Sequence, residues 1–277
     1  MANPVRIALI QQQANREKRE NVARGLENAI EAAKQGAQIL CFAELAFEPF
    51  YPQRPAEGNE FRSFAEPVPG PITEEFRRVA KETGTVIVLN LYEREGEATY
   101  DCSPVIGPDG ELLGKTRMVH ITDYDLFHER GYYAPGDRGA PVFETPFGRI
   151  GVAICYDRHY PEYMRALALG GADIVFIPQA GAVDEWPEGV YEAEVQVAAF
   201  QNGYFAALCN RVGKEERLEF AGESFVYSPV GQRLARAGRG TEEILFADLD
   251  RELLDACPAR RLFLRDRRPE LYREWFA

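Results

Sequence analysis

The segment RIGVAICYDRHYPE, residues 149–162, decides how the rest of the chain is read. Its first half, Ile150 to Ile154, is an apolar run of the kind that fills a buried strand. The run ends in Cys155, and Tyr, Asp, Arg and His follow at once. A cysteine in such a place can be no more than a small apolar residue. What comes next argues for more: Tyr160 and Pro161 mark a helix start with Glu162 in its first turn, so the thiol is expected near a helix N-terminus. There a thiolate gains over a thiol, and backbone N–H groups can hold an oxyanion.

Outward from this segment, strands and helices alternate. VRIALIQQ reads as a buried strand, followed by a helix over about residues 16–35 whose Val22, Leu26, Ala29, Ile30 and Ala33 share one face. AQILCFAEL is a strand, ITEEFRRVAKETG a helix stopped by Gly84, and TVIVLNLYER, TYDCSPVIG and ELLGKTRMV three more strands. After an irregular stretch from Val119 to Ala140 the pattern resumes, with helices from about Pro161 and over Val190 to Asn202 between apolar strands. The predicted class is α/β, with central strands under outer helices. Periodicity leaves open whether the strands form one sheet or two. With 277 residues the chain is expected to be a single domain, 1–277, with a polar tail from 251 to 277 that packs on its own domain or on a second subunit.

Composition narrows the function. Acidic residues outnumber basic ones 44 to 32, and a net charge of −12 repels a phosphate backbone, so nucleic acid is not an expected partner. No stretch approaches the ~18 apolar residues of a membrane span, and the N-terminus carries no cleavage-site signature. Neither a membrane nor an export route is expected. Cys41, Cys102, Cys155, Cys209 and Cys257 are odd in number and widely spaced, which argues against a disulfide framework and for a reducing, cytoplasmic setting. His120, His128 and His159 lack zinc-ligand spacing, so no metal is expected.

Three apolar strands each deliver a reactive side chain near their C-terminal end: Glu44 in ILCFAEL, Lys115 in ELLGKTR and Cys155. Ligands bind beyond such strand ends in α/β sheets, so the three could converge. Taken singly, Glu44 could cap a loop and Lys115 could be a solvated hairpin lysine. DGELLGKT is not a phosphate loop, because Gly110 and Gly114 are too close and no helix follows.

In order and spacing, FAEL, GKTRMVH and ICYDRHYPE resemble the Glu, Lys and Cys motifs of the nitrilase superfamily of carbon-nitrogen hydrolases. GPDGELLGK, YYAPGD, GADIVFIPQA and NRVG extend the resemblance over nearly the whole chain. It implies a four-layer α-β-β-α sandwich with Glu44 as general base, Lys115 as cationic stabiliser and Cys155 as nucleophile. Glu129 matches a second glutamate often placed beside that triad. No cofactor is implied, and self-association into homodimers or larger homo-oligomers is.

Within the superfamily, CFAELAFEPFYPQ, EPVPGPITEEF, FQNGYFAA and FLRDRRPELY are most similar to N-carbamoyl-D-amino acid amidohydrolases. His159, where those enzymes have a second arginine, makes CYDRHYP similar to β-ureidopropionase as well. The resemblance implies a ureido acid as substrate, hydrolysed to amino acid, CO2 and ammonia, with an aliphatic or ω-amide as the alternative. Arg158 is expected to hold a substrate carboxylate, with Tyr156, His159 and His120 beside the substrate and His120 bracing the site. A Cys–His dyad, an acyl transferase and a silent scaffold are the other readings.

Overall fold

The computed structural model describes residues 4–275. The first half runs β1 (Val5–Gln11), α1 (Lys18–Lys34), β2 (Ile39–Phe42), α2 (Pro71–Thr83), β3 (Val86–Val88), β4 (Leu91–Glu95), β5 (Ala98–Ile106) and β6 (Leu112–Arg117). A short hairpin, β7 (Asp123–Tyr124) and β8 (Phe127–His128), leads into β9 (Val142–Thr145) and β10 (Gly148–Val152). Then come α3 (Pro161–Leu169), β11 (Ile174–Gln179), α4 (Val190–Asn202), β12 (Phe205–Asn210), and the hairpin β13 (Val212–Lys214) and β14 (Glu219–Ala221). The chain closes with β15 (Phe225–Tyr227), β16 (Arg233–Arg236), β17 (Glu243–Leu249), α5 (Glu252–Ala256) and α6 (Pro269–Trp275).

These strands make two large sheets. The seven-stranded one has the order β17-β1-β2-β3-β5-β4 with β6 added on β5, and the six-stranded one the order β16-β15-β12-β11-β10-β9. In each, three neighbouring strands run parallel, β1-β2-β3 and β10-β11-β12. The sheets pack face to face through β1, β2, β11 and β12. Three apolar clusters give the layers: one between the sheets, one joining the first sheet to α1 and α2, and one joining the second to α3 and α4. The architecture is the four-layer α-β-β-α sandwich.

Local chemistry explains the outer layers. α2 starts with Pro71 at its first turn and stops at Gly84, whose φ of +67° suits a residue without Cβ. Its buried Ile72, Phe76, Val79 and Ala80 lie three and four residues apart and face the sheet. Phe76 packs with Phe42 and Phe47 at ring-centroid distances of 5.1 Å. A Cβ on Gly25 of α1 would meet the Phe47 ring at 2.6 Å, so only glycine lets α1 approach this aromatic group. Burying a phenylalanine stabilises by about 2–3 kcal/mol, and truncating Phe76 would also open a cavity.

The strand expected over TVIVLNLYER is broken into β3 and β4 at Leu89 and Asn90. Asn90 turns inward, accepting from the Leu45 N–H at 2.8 Å and donating to Asp101 and Ser103. The tail begins on its own subunit: Arg260 donates to the Gly203 and Ala172 carbonyls at 2.7 and 2.8 Å and to Asp173 at 2.9 Å. No described helix is long and apolar enough to cross a membrane.

Candidate active site

Glu44 lies two residues beyond β2 and Cys155 three beyond β10, both past the C-terminal ends of parallel strands in facing sheets. The turn after β8 brings in Glu129. One oxygen of Glu44, one of Glu129 and the Cys155 sulfur all lie within 4.8 Å of one another. All three residues are buried. Cys155 is not the last residue of a strand, as its sequence context suggested, nor does it open α3. It starts a separate 3-10 turn, Cys155–His159, with a φ of +41° that few L-residues adopt. The turn aims the thiol into the space between the sheets. The Gln179 amide at the end of β11 donates to the sulfur at 3.1 Å.

Backbone anchors hold the base. Arg211 donates to the carbonyls of Glu44 at 2.9 Å, of Leu45, and of Glu48 at 2.9 Å, while also pairing with Glu215. On the other side Asp157 accepts from the N–H groups of Val119 and His120 at 3.1 and 3.0 Å and from His120 Nδ1 at 2.7 Å. His120 also stacks on Tyr160 at 3.5 Å. The loop after β6 is thereby tied to the turn that carries the thiol.

The electrostatics are those of a closed acidic chamber. Burial, then the charge of Glu129, pushes the Glu44 carboxyl up to about 7. Burial and Asp101 push Glu129 well above the usual carboxylate range, and burial and Glu44 do the same to Asp101. Burial first, then Glu44 and Glu129, raises the Cys155 thiol, against the Arg158 charge that lowers it. Near neutral pH the thiol is protonated and Glu44 stands close to half-ionised, as a base that must take the thiol proton needs to be. Glu44, Glu129 and the thiol could also hold a metal ion by their spacing. A thiolate so engaged would be a ligand instead of a nucleophile.

Lys115 does not join this cluster. Its ammonium pairs with Glu93 and donates to the Val68 carbonyl at 3.0 Å, with Glu95 at 3.6 Å. The cause is strand alternation: Lys115 and Arg117 share one face of β6, and Arg117 binds the same Glu93 and Glu95. Met118, displaced by an odd number of residues from Lys115, is fully buried in the cluster between the sheets that also contains Cys155. The chain has five lysines. Among the described residues no lysine or arginine side chain pairs with Glu44, Glu129 or Asp101; the ion pairs of both residue types lie elsewhere.

The residues expected to bind substrate divide. Arg158 donates through Nη1 to the Cys155 carbonyl at 2.9 Å and Gln179 at 2.8 Å, and its Nε lies 3.4 Å from Glu194. His159 Nδ1 meets the same Glu194 at 2.6 Å. Both basic side chains are thus already matched by one carboxylate, although Arg158 Nη2 is buried without a partner. Tyr156 packs edge-on against His159 and Tyr160, close to Tyr124. Sequence reasoning missed Gln179, Asn90, Arg211 and Glu185. Glu185 accepts from the hydroxyls of Tyr124 and Tyr191 and from the Ala182 N–H at 2.9 Å, and its charge bears on Cys155 and Glu129.

Comparison with known proteins identifies the family of the chain. A family model described as carbon-nitrogen hydrolase matches residues 6–259. An N-carbamoylputrescine amidase of Solanum lycopersicum is 37% identical over 265 residues, covering 89% of this chain and 87% of the relative. The crystal structure of a carbon-nitrogen hydrolase from Helicobacter pylori G27 superposes with a TM-score of 0.91 at 27% identity, over 99% of this chain and 98% of that one. A variant of the amidase from Nesterenkonia sp. AN1 superposes with a TM-score of 0.82 at 29% identity, over 99% and 97%, and carries the acetamide moiety of fluoroacetamide covalently on its active-site cysteine.

Proposed function

The chain belongs to the carbon-nitrogen hydrolase family of the nitrilase superfamily, and from that membership we propose that it removes ammonia from a small N-carbamoyl compound through a covalent intermediate on Cys155. The observation that carries the reading is the meeting of the Cys155 sulfur with Glu44 and Glu129 inside 4.8 Å, out of contact with bulk water. Cys155 attacks the carbamoyl carbon and forms a carbon–sulfur bond as Glu44 takes the thiol proton. Glu44 returns that proton to the terminal nitrogen, the carbon–nitrogen bond breaks, and ammonia leaves. A water deprotonated by Glu44 then cleaves the thioester-like adduct, and the carbamic acid released loses CO2 to give the free amine. Burial and Asp101 favour the protonated form of Glu129, and in that form it can donate a hydrogen bond to the substrate.

The substrate tail follows from charge. Glu185 carries no basic partner within 4.0 Å among the described residues, and its charge reaches Cys155. Arg158 and His159 are both matched by Glu194. A tail ending in an ammonium therefore fits better than the carboxylate expected from the sequence, and the relative named N-carbamoylputrescine amidase points the same way. One observation favours the N-carbamoyl amino acid instead: the buried, unpartnered Nη2 of Arg158.

Ammonia release from N-carbamoylputrescine, N-carbamoyl-β-alanine and a matching simple amide separates these readings. The expected order places the cationic tail first, with Glu185→Gln lowering its kcat/KM about tenfold and leaving the simple amide unchanged. A preference for N-carbamoyl-β-alanine refutes the cationic tail. A preference for the amide makes the enzyme an aliphatic or ω-amidase. The homo-oligomer implied by the resemblance belongs to the same reading, and a monomeric mass by light scattering at micromolar concentration would remove it.

A further inference from the structure

The loop after β11 contains DEWPEG, residues 184–189, with Glu185 and Trp186 side by side. Asp184 takes a φ of +59°, a conformation that aspartate tolerates better than most residues, and it turns the chain sharply. Pro187 then biases Trp186 toward extended backbone. Glu185 accepts from the Tyr124 and Tyr191 hydroxyls and, at 2.9 Å, from the Ala182 N–H. Trp186 stands at the surface, 36% exposed. Four rings close a circuit here. Between centroids, Trp186 lies 6.0 Å from Tyr124 and 5.5 Å from His159, and Tyr156 lies 6.4 Å from Tyr124 and 5.0 Å from His159. Neighbouring rings are tilted by 32° to 73° and none of these pairs is stacked face to face. Tyr156 directly follows Cys155, and Tyr124 is bonded to Glu185, so the circuit links the turn of the thiol to that carboxylate. Exposure rises across it, from 4% at Cys155 to 36% at Trp186.

We infer that Tyr124, Tyr156, His159 and Trp186 form an aromatic collar that takes the alkylammonium tail of the substrate beside Glu185, with Trp186 as the residue that selects for it. This rests on the reading of the substrate as an N-carbamoyl compound with a cationic tail. A group at the middle of a circuit with this spacing lies about 4–5 Å from each ring, inside the ~6 Å over which an aromatic face attracts a cation. The indole is the strongest of these faces. The methylenes of the tail pack on the rings, and Glu185 supplies the opposite charge without a second carboxylate having to be buried. A carboxylate tail is repelled by Glu185 and by the ring faces alike.

The collar is set before substrate arrives. The Tyr124 hydroxyl is held by Glu185, and His159 Nδ1 is held by Glu194 at 2.6 Å, so two of the four rings are fixed by carboxylates. Tyr124 also stacks on Phe127 at 4.6 Å. Rings ordered in this way lose little freedom when a tail enters, which favours binding. Trp186 is the member open to solvent, and its replacement leaves the buried packing of the others in place.

Trp186→Leu removes the indole and keeps an apolar side chain at an exposed position, so the melting temperature is expected to stay at the wild-type value. The probes are N-carbamoylputrescine and N-pentylurea, in which a methyl group replaces the ammonium. Wild type is expected to prefer the first in kcat/KM. In Trp186→Leu the ratio of the two kcat/KM values is expected to fall about tenfold, through KM for the cation, with kcat for the cation within about threefold. Trp186→Phe, which restores a smaller face, is expected to give an intermediate ratio. A ratio unchanged in Trp186→Leu, whether both substrates lose equally or neither does, overturns the collar and leaves the cationic tail standing. If wild type itself turns over neither probe, or shows no preference for the cation, the reading of the substrate fails and the collar fails with it.

Discussion

Replacing Glu44 by glutamine should abolish turnover and yet stabilise the protein at alkaline pH. Glu44 is fully buried, and burial together with Glu129 lifts its pKa from 4.5 to about 7 in the folded chain. In the unfolded chain it returns to the ordinary carboxylate range. Between these values the folded state binds the proton that the unfolded state has lost, so stability falls as pH rises through this window. The contribution is fully present below about 4.5 and gone above about 7. A rise of about 2.5 pH units at about 1.4 kcal/mol each makes the loss about 3 kcal/mol.

Glu44→Gln cannot ionise and escapes that loss. Urea denaturation of wild type and variant at pH 5.0 and pH 8.5 measures it, and the difference in unfolding free energy, variant minus wild type, should grow by about 2–3 kcal/mol between the two. Ammonia release should fall at least about 10³-fold at both pH values. A difference independent of pH would refute the placement of an ionising carboxyl in a dry chamber. Residual activity near the wild-type level would refute its role as base.

Lys115→Ala should leave kcat/KM within about threefold, because its ammonium serves Glu93 and the Val68 carbonyl and Arg117 still covers Glu93; a stability loss of about 1–2 kcal/mol should appear in the same urea titration. A 10²-fold loss of activity with normal stability would return Lys115 to the catalytic site. Arg211→Met should cost about 3–5 kcal/mol, since it takes the cation from the part-buried Glu215 carboxylate, which keeps only the Phe50 N–H and the Gln53 amide, and frees the carbonyls of Glu44 and Glu48. A thermal shift of only one or two degrees would show that the loop carrying Glu44 is held some other way. Gln179→Leu should slow alkylation of Cys155 by iodoacetamide about tenfold by removing the donor to its sulfur, and an unchanged rate would make that contact structural only.

The layers of this fold were legible because their signals are local. Val190 to Asn202 is a helix over the residues its pattern marked, and α2 ends at the glycine that its sequence required. Glu44, Glu129 and Cys155 could be named because each follows an apolar run or a recognisable motif. Lys115 could not be placed, since its face depends on the register of β6 against β5, and a bulge near Val105 shifts that register. The break at Asn90 was equally hidden: nothing along the chain tells an inward asparagine that bonds Leu45 and Asp101 from one on a surface. Gln179 reads as an ordinary core residue until the two sheets are brought together. The sequence offers Arg158 and His159 to a substrate and gives no sign of Glu194, the carboxylate that pairs with both from a helix more than thirty residues away.

Nucleophilic attack by Cys155 is the claim on which the rest depends, and intact-protein mass spectrometry tests it most directly. The chain is mixed with N-carbamoylputrescine, quenched in acid within the first turnover, and compared with the Cys155→Ala variant. Wild type should gain the mass of substrate less ammonia, localised by peptide mapping to Cys155, and the variant should gain nothing while keeping its fold and binding substrate. Ammonia release with no adduct at any quench time, or equal turnover by Cys155→Ala, would contradict it.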